Sequence, residues 1–158
     1  MKRKLVFSVL GTGLVVALFR AIAKECQKLV AQDAMGEFWR WLSGVMGDYT
    51  LLSEYSRDER TFGNSVWDHG VDKALRGLEH RLLHFPEDQL KSYNPEFGNQ
   101  CYTLRMLALM QVTLLKSCFH GKDREDLDAS CRLLGETVGD LHTLGKKKRN
   151  ERMLAGVG

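Results

Sequence analysis

The side chains of this sequence with the most obvious capacity for chemistry are its histidines, cysteines and paired acids. His80 and His84 stand four apart, the spacing that sets two imidazoles on one helical face for a metal ion. Glu79 precedes them, whereas the acid of a metalloprotease lies between its two histidines, and no third ligand stands within reach. We therefore read them as two surface histidines. Cys26, Cys101, Cys118 and Cys131 form no C-x-x-C pair and fit neither a zinc site nor a compact disulfide framework. Cys118 and Cys131 lie among apolar residues, where a reduced thiol serves as a small core side chain, and a reducing compartment follows. Gly11-Thr12-Gly13 lacks the third glycine and the preceding strand of a dinucleotide loop. Glu136 and Asp140 are i, i+4 neighbours that an exposed helix face explains better than acid–base work. With no nucleophile–base pair, P-loop or kinase-like set, the sequence points away from an enzyme, with no metal and no cofactor of its own. Trp39 and Trp41 flank Arg40, and Trp and Arg are common at interface hot spots. The two tryptophans would stand about 200° apart on a helix, so at least one is expected in the core.

The elements that must position these residues are helical. The chain has 158 residues, 44% of them hydrophobic and 27% charged, and only two prolines, Pro86 and Pro95. That is enough for one domain with a buried core, and it leaves long helices free to form. We expect an all-α bundle of about four to five helices over residues 1–145, with a long apolar N-terminal helix and a basic, disordered tail at 146–158. The first helix is expected over about Leu5–Ala31, stopping near Asp33 and Gly36, with Leu18, Ile22, Cys26 and Leu29 on one face. A short second helix begins at Phe38-Trp39-Arg40-Trp41-Leu42 and is interrupted by Gly44 and Gly47. Residues 53–64 read as a loop. A third helix starts near Asn64 or Ser65 and reaches about Phe85, before a short turn at Pro86-Glu87-Asp88. A loop holding Asn94-Pro95 and Gly98 precedes a fourth helix from Asn99 to about His120. That helix is apolar on most of its faces and so should be the centre of the bundle, with Gly121 as its stop. Asp123 caps a fifth, whose Leu127, Cys131, Leu134, Val138 and Leu141 repeat at 4, 3, 4, 3.

Charge gathers at both ends. Lys2, Arg3, Lys4, Arg20 and Lys24 all precede the first acid, Glu25, and the tail carries Lys146-Lys147-Lys148-Arg149. The net charge of +3 does not imply nucleic acid, and we expect none as a partner. Leu5–Phe19 is an uncharged, mostly apolar run of 15 residues. It admits four readings. A basic start, an apolar stretch and Ala21-Ile22-Ala23 follow signal-peptide grammar, with Arg20 awkwardly between the last two. As a membrane span it is short of the roughly 20 residues a bilayer core needs. Basic residues without acids suit mitochondrial import. A helix buried in the bundle is the fourth.

Two segments together resemble a known group. Leu18-Phe19-Arg20-Ala21-Ile22-Ala23-Lys24-Glu25, with the later Leu29, looks like the opening helix of the LYR-motif family of mitochondrial assembly factors. Phe119-His120-Gly121-Lys122, followed by Asp128, Ser130, Leu133, Leu134 and Gly135, is similar to the C-terminal signature of the ATP synthase (complex V) assembly factors within that family. The two segments cover about a fifth of the chain. Residues 33–64 look like an insertion relative to the family's three compact helices, and the ending of those factors is absent. The resemblance implies a non-catalytic mitochondrial assembly or accessory protein, in the matrix or at the inner membrane. It would bind acyl carrier protein and a respiratory or ATP synthase client. Leu18, Phe19, Arg20, Lys24 and Phe119 would be its partner-binding residues, with the acyl-phosphopantetheine of the carrier entering between helices. Arg suits a phosphate and an acidic helix, and the leucine- and methionine-rich residues 104–115 suit an acyl chain. The alternative is a membrane-anchored helical protein-interaction module, touching the membrane through residues 5–19 by an N-terminal signal anchor. Burial of Leu10, Leu14 and Leu18 against Leu107 and Leu114 favours the first; an N-terminal helix projecting from the bundle favours the second.

Overall fold

A computed structural model describes the backbone of residues 2–156 and, within them, the side chains of residues 21–26, 28–30 and 32–156. Five helices follow in order: α1 Lys2–Arg57, α2 Ser65–Leu83, α3 Glu87–Tyr93, α4 Pro95–Gly121 and α5 Arg124–Ala155. Local chemistry fixes three of the starts. The Asn64, Asn94 and Asp123 side chains each accept a hydrogen bond from a first-turn N–H, at Trp67, Phe97 and Asp126. Pro95 occupies the first turn of α4, where its missing N–H costs nothing. Gly121 ends α4, and Lys122 takes up the left-handed conformation, φ 53°, that closes it.

The four long helices alternate in direction. Trp67 at the start of α2 donates its indole N–H to the Tyr55 carbonyl near the end of α1 (2.9 Å). Trp41, a quarter of α1 earlier, donates to the Arg81 carbonyl near the end of α2 (2.7 Å). α5 runs back along α1 in the same sense: Tyr49 meets Gly135, and Phe38 meets Gly145. α4 runs parallel to α1 and lies diagonally across the bundle, packed on α2, α3 and α5. The short α3 closes the end where residues 34–38 enter. At that end Leu90 is fully buried and Phe97 meets Phe38 edge-on at 5.4 Å. The continuous core runs from Ala34 and Phe38 through Leu42, Leu75, Leu78 and Leu115 to Leu127 and Trp67. Each leucine fully removed from water contributes about 1.5–3 kcal/mol.

Several expectations are corrected here. The helix break expected near Asp33–Gly36 and the interruption at Gly44 and Gly47 are absent: α1 passes through all three glycines to Arg57, and the loop expected over 53–64 is confined to 58–64. Each helical glycine costs about 1 kcal/mol against alanine. The burial of Ala34, Met35, Phe38, Trp41, Leu42, Val45 and Leu52 along one face offsets that cost. α4 begins at Pro95, so Gly98 is a buried helical residue and not part of a loop. Nor is α4 buried all round. Ala108, Val112 and Leu115 point inward, whereas Leu107, Met110 and Leu114 are exposed. The basic tail is not disordered up to Ala155: α5 continues straight through Lys146-Lys147-Lys148-Arg149. Lys, Arg, Glu, Met and Leu are good helix formers, and cations near a helix C-terminus complement its dipole. The long N-terminal helix exists, but among the described residues no helix is long and apolar enough to cross a membrane. Leu5–Phe19, which carries the apolar character, has its side chains outside the described residues, as have Leu10, Leu14 and Leu18.

Candidate functional site

The residues that the family resemblance groups together do not share a place in the fold. Leu18, Phe19 and Arg20 belong to α1, with side chains outside the described residues. Lys24 follows one turn after Arg20, on the same helical face, and is exposed. Phe119 sits near the C-terminal end of α4, half-buried, with its ring 5.6 Å from that of Trp67. Trp67 in turn is held to Tyr55. Phe19 precedes Tyr55 by 36 residues of unbroken helix, about 54 Å at 1.5 Å per residue. Phe119 closes the far end of the core, and the Phe119–Lys122 segment is a helix ending.

The first half of α1 has different surroundings from the second. Every described side chain from Ala21 to Asp33 is exposed, Ile22 at 51%, Leu29 at 62% and Val30 at 49% included. Burial begins at Ala34. α1 therefore leaves the bundle as a single projecting helix, and its exposed basic residues, Lys24 and Lys28, lie along that projection. Lys28 is paired with Glu25 at 3.0 Å, an exposed i, i+3 contact of little energetic weight.

The remaining sequence candidates resolve as ordinary structure. The His80 and His84 rings stack at 4.2 Å, and His84 Nδ1 lies 2.7 Å from the His80 carbonyl oxygen. Among the described residues no group of three or more His, Cys, Asp or Glu side chains is placed to hold a metal ion. Trp41 is buried, as one of the two tryptophans was expected to be. Trp39 is half-buried between the His142 ring, 5.7 Å away, and the Arg149 guanidinium, 5.8 Å away. Glu136 and Asp140 are exposed. Burial pushes the Cys101 thiol up to about 12, and burial also raises that of Cys131, so both remain protonated packing groups. A groove of about 490 Å³ between α4 and α5 is floored by Leu104 and Leu144 with Asp140 and Lys147 on its rim. Gln100, Thr103 and Thr143 complete its lining.

Three features were missed at the level of sequence. Glycines inside helices receive aromatic rings from α1: a Cβ on Gly70, Gly135 or Gly145 would overlap Tyr55, Tyr49 or Phe38. Gly44 and Gly77 likewise make room for Arg81 and Asp48, which pair across α1 and α2 at 2.6 Å. The third feature is where the basic end of α5 lies in the fold. Beyond Gly145, α5 continues to Ala155, ten residues or about 15 Å, in the direction of the projecting part of α1. No protein-family model, curated protein or solved structure matches this chain.

Proposed function

We propose that this chain is a membrane-anchored helical protein-interaction module: the N-terminal part of α1 inserts in a bilayer and the bundle is held above it to bind a partner. The observation that carries this reading is the exposure of every described side chain from Ala21 to Asp33 on a helix that is continuous with the core. Exposed apolar residues such as Ile22, Leu29 and Val30 on a helix need another environment to cover them. Leu5–Ala23 is 19 residues, about 28 Å of helix, close to a bilayer's hydrocarbon thickness of about 30 Å. Arg20 stands one turn from the end of that stretch, where an arginine reaches the headgroups with its guanidinium. The bases on either side, Lys2, Arg3 and Lys4 before and Lys24 after, suit the two interfaces.

The test is flotation of the full chain with vesicles of neutral phosphatidylcholine, followed by alkaline washing. The chain is expected to float and to resist the wash. Leu14→Arg should sharply reduce the vesicle-bound fraction, because a charge at mid-bilayer costs about 2.5–3.5 kcal/mol on insertion scales. An intact chain left in the soluble fraction overturns the reading.

The second reading is an assembly factor that binds acyl carrier protein. Its support is that Lys24 is exposed and that Arg20 lies one turn before it on the same helix. Acyl carrier protein copurifying with the chain, and lost on Arg20→Ala, would favour it; Phe119 would take no part, being at the other end of the molecule.

A further inference from the structure

The alternating topology brings the most basic segment of the chain back to the end from which α1 departs. α5 starts beside the far end of α1, where Arg124 pairs with Glu59 at 3.0 Å, and passes Phe38 at Gly145. Its last ten residues pass the end of the bundle, where Lys147, Lys148 and Glu151 line a small cavity with Asn94, Glu96 and Phe97, and then overhang it toward the N-terminal part of α1. That segment holds five bases, Lys146, Lys147, Lys148, Arg149 and Arg152, and one acid, Glu151, which pairs with Lys148 at 3.2 Å. Lys146, Lys147 and Arg149 are exposed. Beyond them Met153 and Leu154 stand out into solvent at 57% and 79% exposure. The opposite end of the molecule has the opposite balance. Asp58, Glu59, Asp123, Glu125, Asp126 and Asp128 there outnumber Arg57, Arg60, Lys122 and Arg124. A helix tip with bases around its circumference and large apolar side chains at its extremity has the composition of an interfacial membrane contact.

We propose that residues 146–154 of α5 form a second membrane contact, docking on the surface of an anionic bilayer beside the chain's own anchor. This rests on the anchored reading of α1, which sets the height of the overhang. From Lys24, at the edge of the inserted stretch, to Phe38, which meets Gly145, α1 rises 14 residues, about 21 Å. From Gly145 α5 descends ten residues, about 15 Å, so its tip stops about 6 Å above the level of Lys24, within the headgroup layer. The bases meet lipid phosphates and carboxylates, each strengthening the contact about fivefold. Met153 and Leu154, at the tip, settle among the headgroups. With one helix inserted and a second resting on the surface, the bundle stands at a fixed tilt with its acidic end away from the bilayer.

The experiment uses the full chain in vesicles of phosphatidylcholine alone, or with about 30 mol% phosphatidylserine, a level that gives a negative surface potential. Flotation measures the anchor; the rate of tryptic cleavage at Arg149 and Arg152 measures the contact. Cleavage at Arg57 and Arg60, at the far end, is the internal control. The anchored chain should float with both vesicles and be cut at Arg149 and Arg152 at least about fivefold more slowly on the anionic ones. About 0.5 M salt should remove that protection, since the Debye length shrinks to a few ångströms. Lys146→Gln with Lys147→Gln should also remove it, leaving the remaining cleavage sites in place and the melting temperature unchanged. Equal cleavage on both vesicles with flotation intact overturns the second contact and leaves the anchor standing. Flotation on anionic vesicles only, lost in the double variant, supports the α5 contact and removes the anchor. Flotation on neither overturns both.

Discussion

α1 is one helix in two surroundings. From Ala34 to Ser56 it gives Phe38, Leu42, Val45 and Leu52 entirely to the core, while from Ala21 to Asp33 every described side chain is exposed. Both halves hold apolar residues at helical spacings, and the backbone does not change between them. What changes is the presence of neighbours: α2, α3 and α5 bury one face of the second half, whereas in the described part of the first only Val30 and Asp33 come beside α3. Helix formation is a local matter of propensity and hydrogen bonding, whereas burial needs a second surface, and no property of residues 21–33 supplies one. The apolar residues left without cover on the projecting half are therefore the place to look for a membrane or a partner.

Substitutions that sharpen this contrast fall in a clear order. Phe38→Ala should cost about 3–5 kcal/mol in denaturant unfolding, because the ring is wholly buried among Phe97, Trp41 and Gly145. Leu134→Ala, in the buried stripe of α5, should cost about 2–5 kcal/mol. A loss below about 0.5 kcal/mol at either position would mean that the core does not close as described.

Alkaline pH tests the same core by another route. The Cys101 thiol is held near 12 in the folded chain against about 8.5 when unfolded. A raised acid pKa favours the protonated form in the fold. Its stabilisation is complete below pH 8.5 and is lost between there and about 12, by up to about 1.4 kcal/mol per pH unit. Cys101→Ala should flatten that decline, measured as unfolding free energy against pH. Mild thiol reagents at neutral pH should modify exposed Cys26 and spare Cys101 and Cys131.

Asp48→Ala should cost about 0.5–1 kcal/mol, since the partner Arg81 is nearly half exposed and solvent weakens the pair. A double-mutant cycle with Arg81→Ala measures the coupling directly. The smallest effect belongs to the projecting half: Leu29→Ala should move the unfolding free energy by less than about 0.5 kcal/mol. A cost like that of Phe38→Ala would place residues 21–33 inside a packed structure and break the comparison.

Much of the architecture was legible in the sequence. Two prolines, the caps Asn64 and Asp123, the stop at Gly121 and the 4-3 stripe of α5 each correspond to a feature of the fold, because each acts within a few residues. Gly44, Gly47 and the first residues of the stretch 53–64, of which only 58–64 form the loop, misled for a related reason. Read locally they break a helix, but the packing of α1 on α2 and α5 outweighs the local cost. The tail misled in the same way, since a run of bases was taken as solvated coil although its residues are good helix formers continuing an anchored helix.

By itself the sequence determined the helical class, the caps, the apolar stripes and the absence of any recognisable catalytic motif. The tertiary structure alone decided which stripes are covered. It put Phe119 at the end of the molecule remote from Phe19 and Arg20, left Leu107, Met110 and Leu114 facing outward, and turned the basic end of α5 back toward the root of α1. The physical reason is that periodicity says which side of a helix is apolar, while direction and neighbours, set by how four helices alternate and where glycines admit aromatic rings, say what that side meets.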